Sequence, residues 1–503
     1  MSKLGKRRKI CARFSLDLIM NTTLIDSLRI ELIHLNKDYA FWSLMLLLFV
    51  LMGFAAINSN NYQASKKIEV EKQIDLVAKF DGALVAQIDS LNRGLDSYAN
   101  SYTLPTNGVR LTYNNHRITW LPFEPFSIIA TGQSDIYSNY KKIILYFNES
   151  YEMNNTELVS PIEQLFGQLD LSFVWINILP LIIILTSFNI LSKERETGRL
   201  SLIASQPISL PMWLLKKIAL RFFTISACLI VFSAILLLAF QVAVFQNFTL
   251  FIQLALIIVF YSAFWFLLSF LVNLLKYSSD RSLIILTSFW ALFVFLIPSI
   301  INQIGSELNP VSPRIEIINH LQKVYNEAEG NFDEKFEELY KIHPDWVSDD
   351  PVTKDISNPT GWNINYLAKQ YIAQLEHKPV LEAYEQQIDN RNKWMQKVSI
   401  VSPAMIVQRS LTEIAGTSTQ HYRSFLRQSR DYAQDYREYV FQKLFTNHKF
   451  TKDEIRELPE FIFDQSEIQP SFMLDSFILI SYALALLLGC LLLINQKFKS
   501  REI

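Results

Sequence analysis

Cysteine is scarce, with three in 503 residues: Cys11 in a polar amino-terminal segment, Cys228 and Cys490 inside apolar runs. No disulfide framework is available to staple a secreted domain, so any part outside the cytoplasm folds on packing alone. Net charge is almost absent too, at -1, which excludes a global basic field that draws nucleic acid. Charged residues make up 19% against 50% hydrophobic, too few for an ordinary soluble protein and too many for a chain wholly in lipid. Catalytic signatures are also missing. There is no G-x-x-x-x-G-K-[ST] phosphate loop, so any ATP-driven step needs another polypeptide. H-E-x-x-H, G-x-S-x-G and paired C-x-x-C are absent and the histidines are dispersed, which argues against an enzyme; no metal or other cofactor is expected. The basic run Lys3–Lys9 is not followed closely by an apolar stretch, so the first long apolar run is expected to stay in the membrane rather than be cleaved.

What is present is a set of six long apolar runs: 40–57, 171–191, 222–245, 248–275, 282–304 and 472–494. A helix crosses a bilayer in about 17–25 residues and satisfies its own backbone there, so the runs predict six transmembrane helices in an all-α polytopic membrane protein. Lysine and arginine set the orientation. The amino-terminal segment 1–39 carries Lys3, Lys6, Arg7, Arg8, Lys9, Arg13, Arg29 and Lys37; the loop 192–221 carries Lys193, Arg195, Arg199, Lys216, Lys217 and Arg221. Lys276 and Arg281 flank the fourth-to-fifth link, and Lys497, Lys499 and Arg501 lie in the tail 495–503. Both termini are therefore expected in the cytoplasm. The segments 58–170 and 305–471 are too long for connecting loops and are expected to be two large extracytoplasmic domains.

The first of these opens with Ile68, Ile74, Val77, Leu84, Ile88 and Leu91 on one helical face, then turns to mixed α/β sequence with a possible strand over Lys142–Phe147. The second reads as mainly helical, from the faces Phe332/Phe336/Leu339/Tyr340, Leu367/Tyr371/Leu375 and Tyr422/Phe425/Leu426. Gly416 is placed to stop one helix and Ser418 to cap the next. Residues 16–39 alternate apolar and charged positions as an amphipathic helix does, lying on membrane lipid or on protein.

The most informative stretch is Lys193-Glu194-Arg195-Glu196-Thr197-Gly198-Arg199-Leu200-Ser201-Leu202-Ile203-Ala204-Ser205-Gln206-Pro207-Ile208-Ser209. Gly198 permits a sharp turn at the charged end of the second span, Leu200–Ser205 makes a short apolar helix, and Pro207 ends it. Ser209 and Pro211 then open the helix that leads into the third span. Leu200, Leu202 and Ile203 on such a surface helix favour a docking site over a loop tucked against the bilayer.

In these residues the chain resembles the ABC-2 type exporter permeases. Their second span ends in glutamates, followed by glycine, a leucine-rich short helix and a Pro-Ile/Val-Ser exit. Glu194, Glu196, Gly198, Leu200, Pro207 and Ser209 match at their own positions, and Ile203-Ala204 departs mildly from the usual Leu-Leu. The stretch Ser402-Pro403 through Gly416-Thr417 to His421 and Phe425 resembles a subgroup with a large second outer domain of uncharacterised function. The resemblance implies an ABC transporter permease in the bacterial inner membrane. Its partners would be a separate ABC-type ATPase subunit and a second permease subunit, identical or paralogous. It also implies that Glu194, Glu196, Gly198, Leu200, Leu202, Ile203 and Pro207 form a coupling helix docked on that ATPase, and that transport is export from the cytoplasm. Two other readings stay open: ATP-driven motion passed to envelope partners with nothing crossing, and a scaffold with no ATPase.

Three isolated features complete the reading. His421 is expected to be an ordinary packed or solvated helix residue rather than a ligand. Asp475, near the outer end of the last span, is expected to snorkel to the interface rather than to serve the transport path. Pro180 and Pro298 lie inside the second and fifth spans, where they kink the helices for packing or hinge them for gating.

Overall fold

The computed structural model describes residues 31–98, 102–114, 116–146, 169–205, 209–330, 332–468 and 470–497. Among the described residues, six regions are long and apolar enough to cross a membrane: Tyr39–Asn92, Leu171–Glu196, Leu210–Ala239, Phe248–Leu274, Ser279–Leu308 and Gln465–Gln496, numbered here as spans 1 to 6. The chain is an all-α polytopic membrane protein. Spans 2 and 4 are buried over 67% and 61% of their most apolar stretch, against 17% and 11% for spans 5 and 6. The first pair is therefore the centre of the bundle, and the second leaves most of its surface for lipid or another protein.

Two spans differ from the sequence reading. Span 3 ends at Ala239 instead of Phe245, because Gln241 takes a left-handed conformation (φ 59°) and turns the chain while it is still apolar. Its helix begins at Leu210 with Pro211 in the first turn, where the sequence opens it, but Ser209 precedes it without a side-chain cap bond. Span 1 does not stop at the bilayer at all. Its helix runs unbroken over 54 residues, about 80 Å at 1.5 Å per residue, so that about 50 Å projects beyond a hydrocarbon core of about 30 Å.

The two long inter-span segments pack into one body. Leu84, Ile88, Val109, Leu121, Ile143 and Leu145 from the first share a core with Leu339, Trp346, Leu367, Phe425, Tyr436 and Phe441 from the second. The first segment is mixed, with an antiparallel hairpin of β1 (Arg117–Trp120) and β2 (Tyr140–Ile143), Arg117 opposite Ile143. The second is mainly helical, including Arg314–Gly330, Pro359–Val398, Pro403–Ile414 and Thr419–Phe445. Polar ties cross between them. Arg437 donates to the carbonyls of Ile144 (3.0 Å) and Tyr146 (3.1 Å), and the Phe450 amide to that of Thr106 (2.7 Å). Gly132 (φ 50°) lies so close to Thr417 that a Cβ there would meet its carbonyl, and the Gln133 amide donates to the same oxygen at 2.9 Å. Within the first segment, Arg117 binds Asp81 through two nitrogens at 2.6 and 3.0 Å.

Gly416 (φ 71°) follows the Pro403–Ile414 helix, and the Ser418 hydroxyl accepts from the His421 amide at 3.4 Å, as the sequence anticipates. His421 is 9% exposed, with Nδ1 2.7 Å from Ser418 Oγ, and desolvation lowers its pKa from 6.5 to about 4. The unfolded chain therefore binds more protons between those values. His421 contributes stability that is fully present above about pH 6.5 and is lost as pH falls towards 4, up to about 3 kcal/mol. The melting temperature of the full chain is expected to fall between pH 6.5 and 4.5, and to fall less for His421→Gln. Equal slopes would assign the pH dependence elsewhere.

Candidate functional site

Span 2 ends in a turn built as its sequence suggests. The Gly198 amide donates to the Arg195 carbonyl at 3.0 Å, and Gly198 takes φ 73°. The short helix Leu200–Ala204 follows, and the Ser201 hydroxyl donates back to the Gly198 carbonyl at 3.0 Å. Leu202 is 69% exposed. Leu200 packs against the bundle core and Ile203 is half-buried, while Pro207 lies outside the described residues.

The charged residues before the turn tie it to other spans. Glu196 accepts from the Ser279 amide (2.9 Å) and hydroxyl (2.8 Å) in the first turn of span 5, where a carboxylate also suits the helix dipole. Arg195 donates to the carbonyls of Lys276 (2.6 Å) and Tyr277 (2.8 Å) in the link from span 4. Glu194 lies 3.6 Å from Lys217 of span 3, which sits 4.4 Å over the Trp213 ring and 3.7 Å from Glu31. Of the amphipathic segment 16–39, residues 31–39 are described, and 31–36 are helical. Deeper in the bundle, Asn273 of span 4 donates to the Ser187 carbonyl (2.9 Å) and accepts from the Leu191 amide (3.2 Å) of span 2.

The two glutamates thus work inside the chain, binding spans 3 and 5 to the end of span 2. The apolar face at Leu202 is what the turn presents outward. Arg195 and Lys217 were read from sequence only as charges that set orientation, and Asn273 and Ser279 were not singled out. Their roles depend on contacts between residues far apart in sequence, for which no local pattern exists.

On the body side, Asp475 does not snorkel. It is fully buried because Arg409 pairs with it, and Ser410 (2.7 Å) and Ser471 (3.0 Å) donate to its carboxylate. Arg409 also donates to the Gln396 carbonyl (3.1 Å) and Ser399 hydroxyl (2.9 Å). The end of the Pro359–Val398 helix, the Pro403–Ile414 helix and span 6 are thereby fastened at one point. Among the described residues, no three potential metal ligands gather.

The fold defines a polytopic membrane protein with a large helical body between its spans. Residues 314–464, within that body, match a family described as a domain of unknown function (DUF3526). No curated protein and no solved structure matches the chain significantly.

Proposed function

We propose that the chain is the membrane-spanning permease subunit of an ATP-binding-cassette export system, driven by a separate ATPase that docks on Leu200–Ser205. The observation that carries this reading is the exposed Leu202 on a helix whose root is tied to spans 3, 4 and 5. A force applied to that helix has a short polar route into most of the bundle. The resemblance to ABC-2 type permeases suggests the partner class, including a second permease subunit, and a bacterial inner membrane; the lysine and arginine distribution favours a cytoplasmic loop and cytoplasmic termini. A second reading, motion passed to envelope partners without cargo, is favoured by the unbroken Tyr39–Asn92 helix, which makes the body a stiff extension of span 1.

The test is recovery and labelling of the tagged chain from its native membrane. An ATP-binding subunit is expected to copurify. Sole cysteines from Ala78→Cys and Gln386→Cys are expected to react with a membrane-impermeant reagent in intact cells, and Ser201→Cys only after lysis. An active complex without an ATPase, or labelling at Ser201→Cys from outside, sinks the proposal.

A further inference from the structure

Spans 2 and 5 are interrupted in the same way. In span 2 a π-helical segment, Val174–Ile178, is followed by Leu179 and Pro180; in span 5 the segment Leu292–Leu296 is followed by Ile297 and Pro298. The Leu179 amide reaches back five residues to the Val174 carbonyl, and the Ile297 amide likewise to Leu292. The consequence for span 5 follows from counting donors. The Phe293 carbonyl has lost its ordinary α-helical donor, Ile297, to Leu292, and the next candidate is Pro298, which has no N–H. In span 2 the same count leaves the Trp175 carbonyl without a backbone donor, and Pro180 cannot act as the α-helical donor to the Ile176 carbonyl.

Side chains from neighbouring elements donate to carbonyls within both breaks. Tyr261 of span 4 donates to the Ile176 carbonyl at 2.9 Å. Trp290, just before the span 5 break, donates to the Asn177 carbonyl inside the span 2 break at 3.0 Å, so the two interruptions lie side by side. Ser402 donates to the Phe293 carbonyl at 2.6 Å. Ser402 belongs to neither span. It caps the Pro403–Ile414 helix, which packs Ala404, Val407 and Leu411 into the core of the spans and whose Arg409 reaches Asp475 of span 6 and the end of the Pro359–Val398 helix of the body.

We propose that the paired π/proline breaks form a single hinge across spans 2 and 5, and that Ser402 is the latch joining this hinge to the body. A π turn carries one residue more than an α turn, so shifting that residue along the helix rotates everything beyond it. Such a shift in span 5 takes the Phe293 carbonyl out of reach of Ser402. The body then moves with the hinge while the bond holds and is released when it breaks. This goes beyond the proposed function, because it requires neither an ATPase nor a cargo.

The experiment is a double-mutant cycle on the full chain in lipid nanodiscs. Ser402→Ala leaves the part-buried Phe293 carbonyl unserved and is expected to lower the melting temperature on the order of 2 °C; Ser402→Thr keeps the hydroxyl and the temperature. Pro298→Ala returns an N–H to that turn, so in its background Ser402→Ala is expected to have less than half that effect. Pulsed electron spin resonance between labels at Ser201→Cys and Gln386→Cys, with the native cysteines replaced by alanine, reads the hinge itself. Ser402→Ala is expected to broaden or shift the distance distribution and Ser402→Thr to preserve it. No fall in the native background, an undiminished fall in the Pro298→Ala background, or an unchanged distribution overturns the proposal.

Discussion

Asp475→Ala is expected to lower the stability of the full chain by about 3–5 kcal/mol, the range for removing one partner of a buried ion pair. The carboxylate is inaccessible and takes bonds from Arg409, Ser410 and Ser471; the Arg409 side chain is itself only 18% exposed. Removing the acid strands the guanidinium in a site built to neutralise it. Arg409→Ala is expected to be as damaging, since it strands Asp475 and also frees the Gln396 carbonyl and Ser399 hydroxyl. The double variant Arg409→Met/Asp475→Leu is expected to recover most of the loss, because an apolar pair of similar volume removes both desolvation penalties. Thermal unfolding of the purified protein, with yield in the membrane fraction, decides the matter. Single variants that melt with the native chain would mean that the pair is hydrated in the working protein.

The legible and illegible parts of this fold separate along a physical line. Membrane spans are local: length and hydropathy are properties of one stretch, so their number follows from sequence alone. The end of span 3 was misplaced because Phe240–Phe245 remains apolar after Gln241 has turned the backbone. The continuity of span 1 was not visible because Asn58–Gln63 is polar yet contains no proline or glycine, so hydropathy changes while the helix does not. Periodicity found the core faces at Leu84 and Ile88 and at Phe425, but a face does not name its partner. That both segments share one core is therefore a structural finding. The same holds for the polar residues. Gly198 and Gly416 are readable because left-handed backbone has a residue signature. Glu194, Glu196 and Asp475 were visible as charges, and their partners were not. Pro180 and Pro298 were visible as breaks, but not the donors at Tyr261, Trp290 and Ser402 that serve the carbonyls around them.

If the Leu200–Ser205 helix is where an ATPase docks, substitutions along this one turn are expected to separate docking from transmission. Leu202→Glu changes the outward face without touching any described contact of the fold. Burying a leucine stabilises an interface by about 1.5–3 kcal/mol, so its replacement by a charge is expected to weaken ATPase binding by roughly tenfold to a hundredfold. Gly198→Val acts through the backbone: no atom lies within 4 Å of the added Cβ, but φ 73° is a region β-branched residues avoid. The turn must reopen, the helix swings away from its present direction, and binding is expected to fall with stability of the spans unchanged. Glu196→Gln is expected to behave differently. It weakens the charge-assisted bonds to Ser279 while leaving the outward face intact, so the ATPase still binds but its hydrolysis responds less to the permease. The measurement is ATPase retained on the immobilised chain, together with ATP turnover per bound ATPase. Undiminished retention by both Leu202→Glu and Gly198→Val removes the docking site. A Glu196→Gln variant with native turnover shows instead that force enters the bundle through Lys217 or Arg195 and not through span 5.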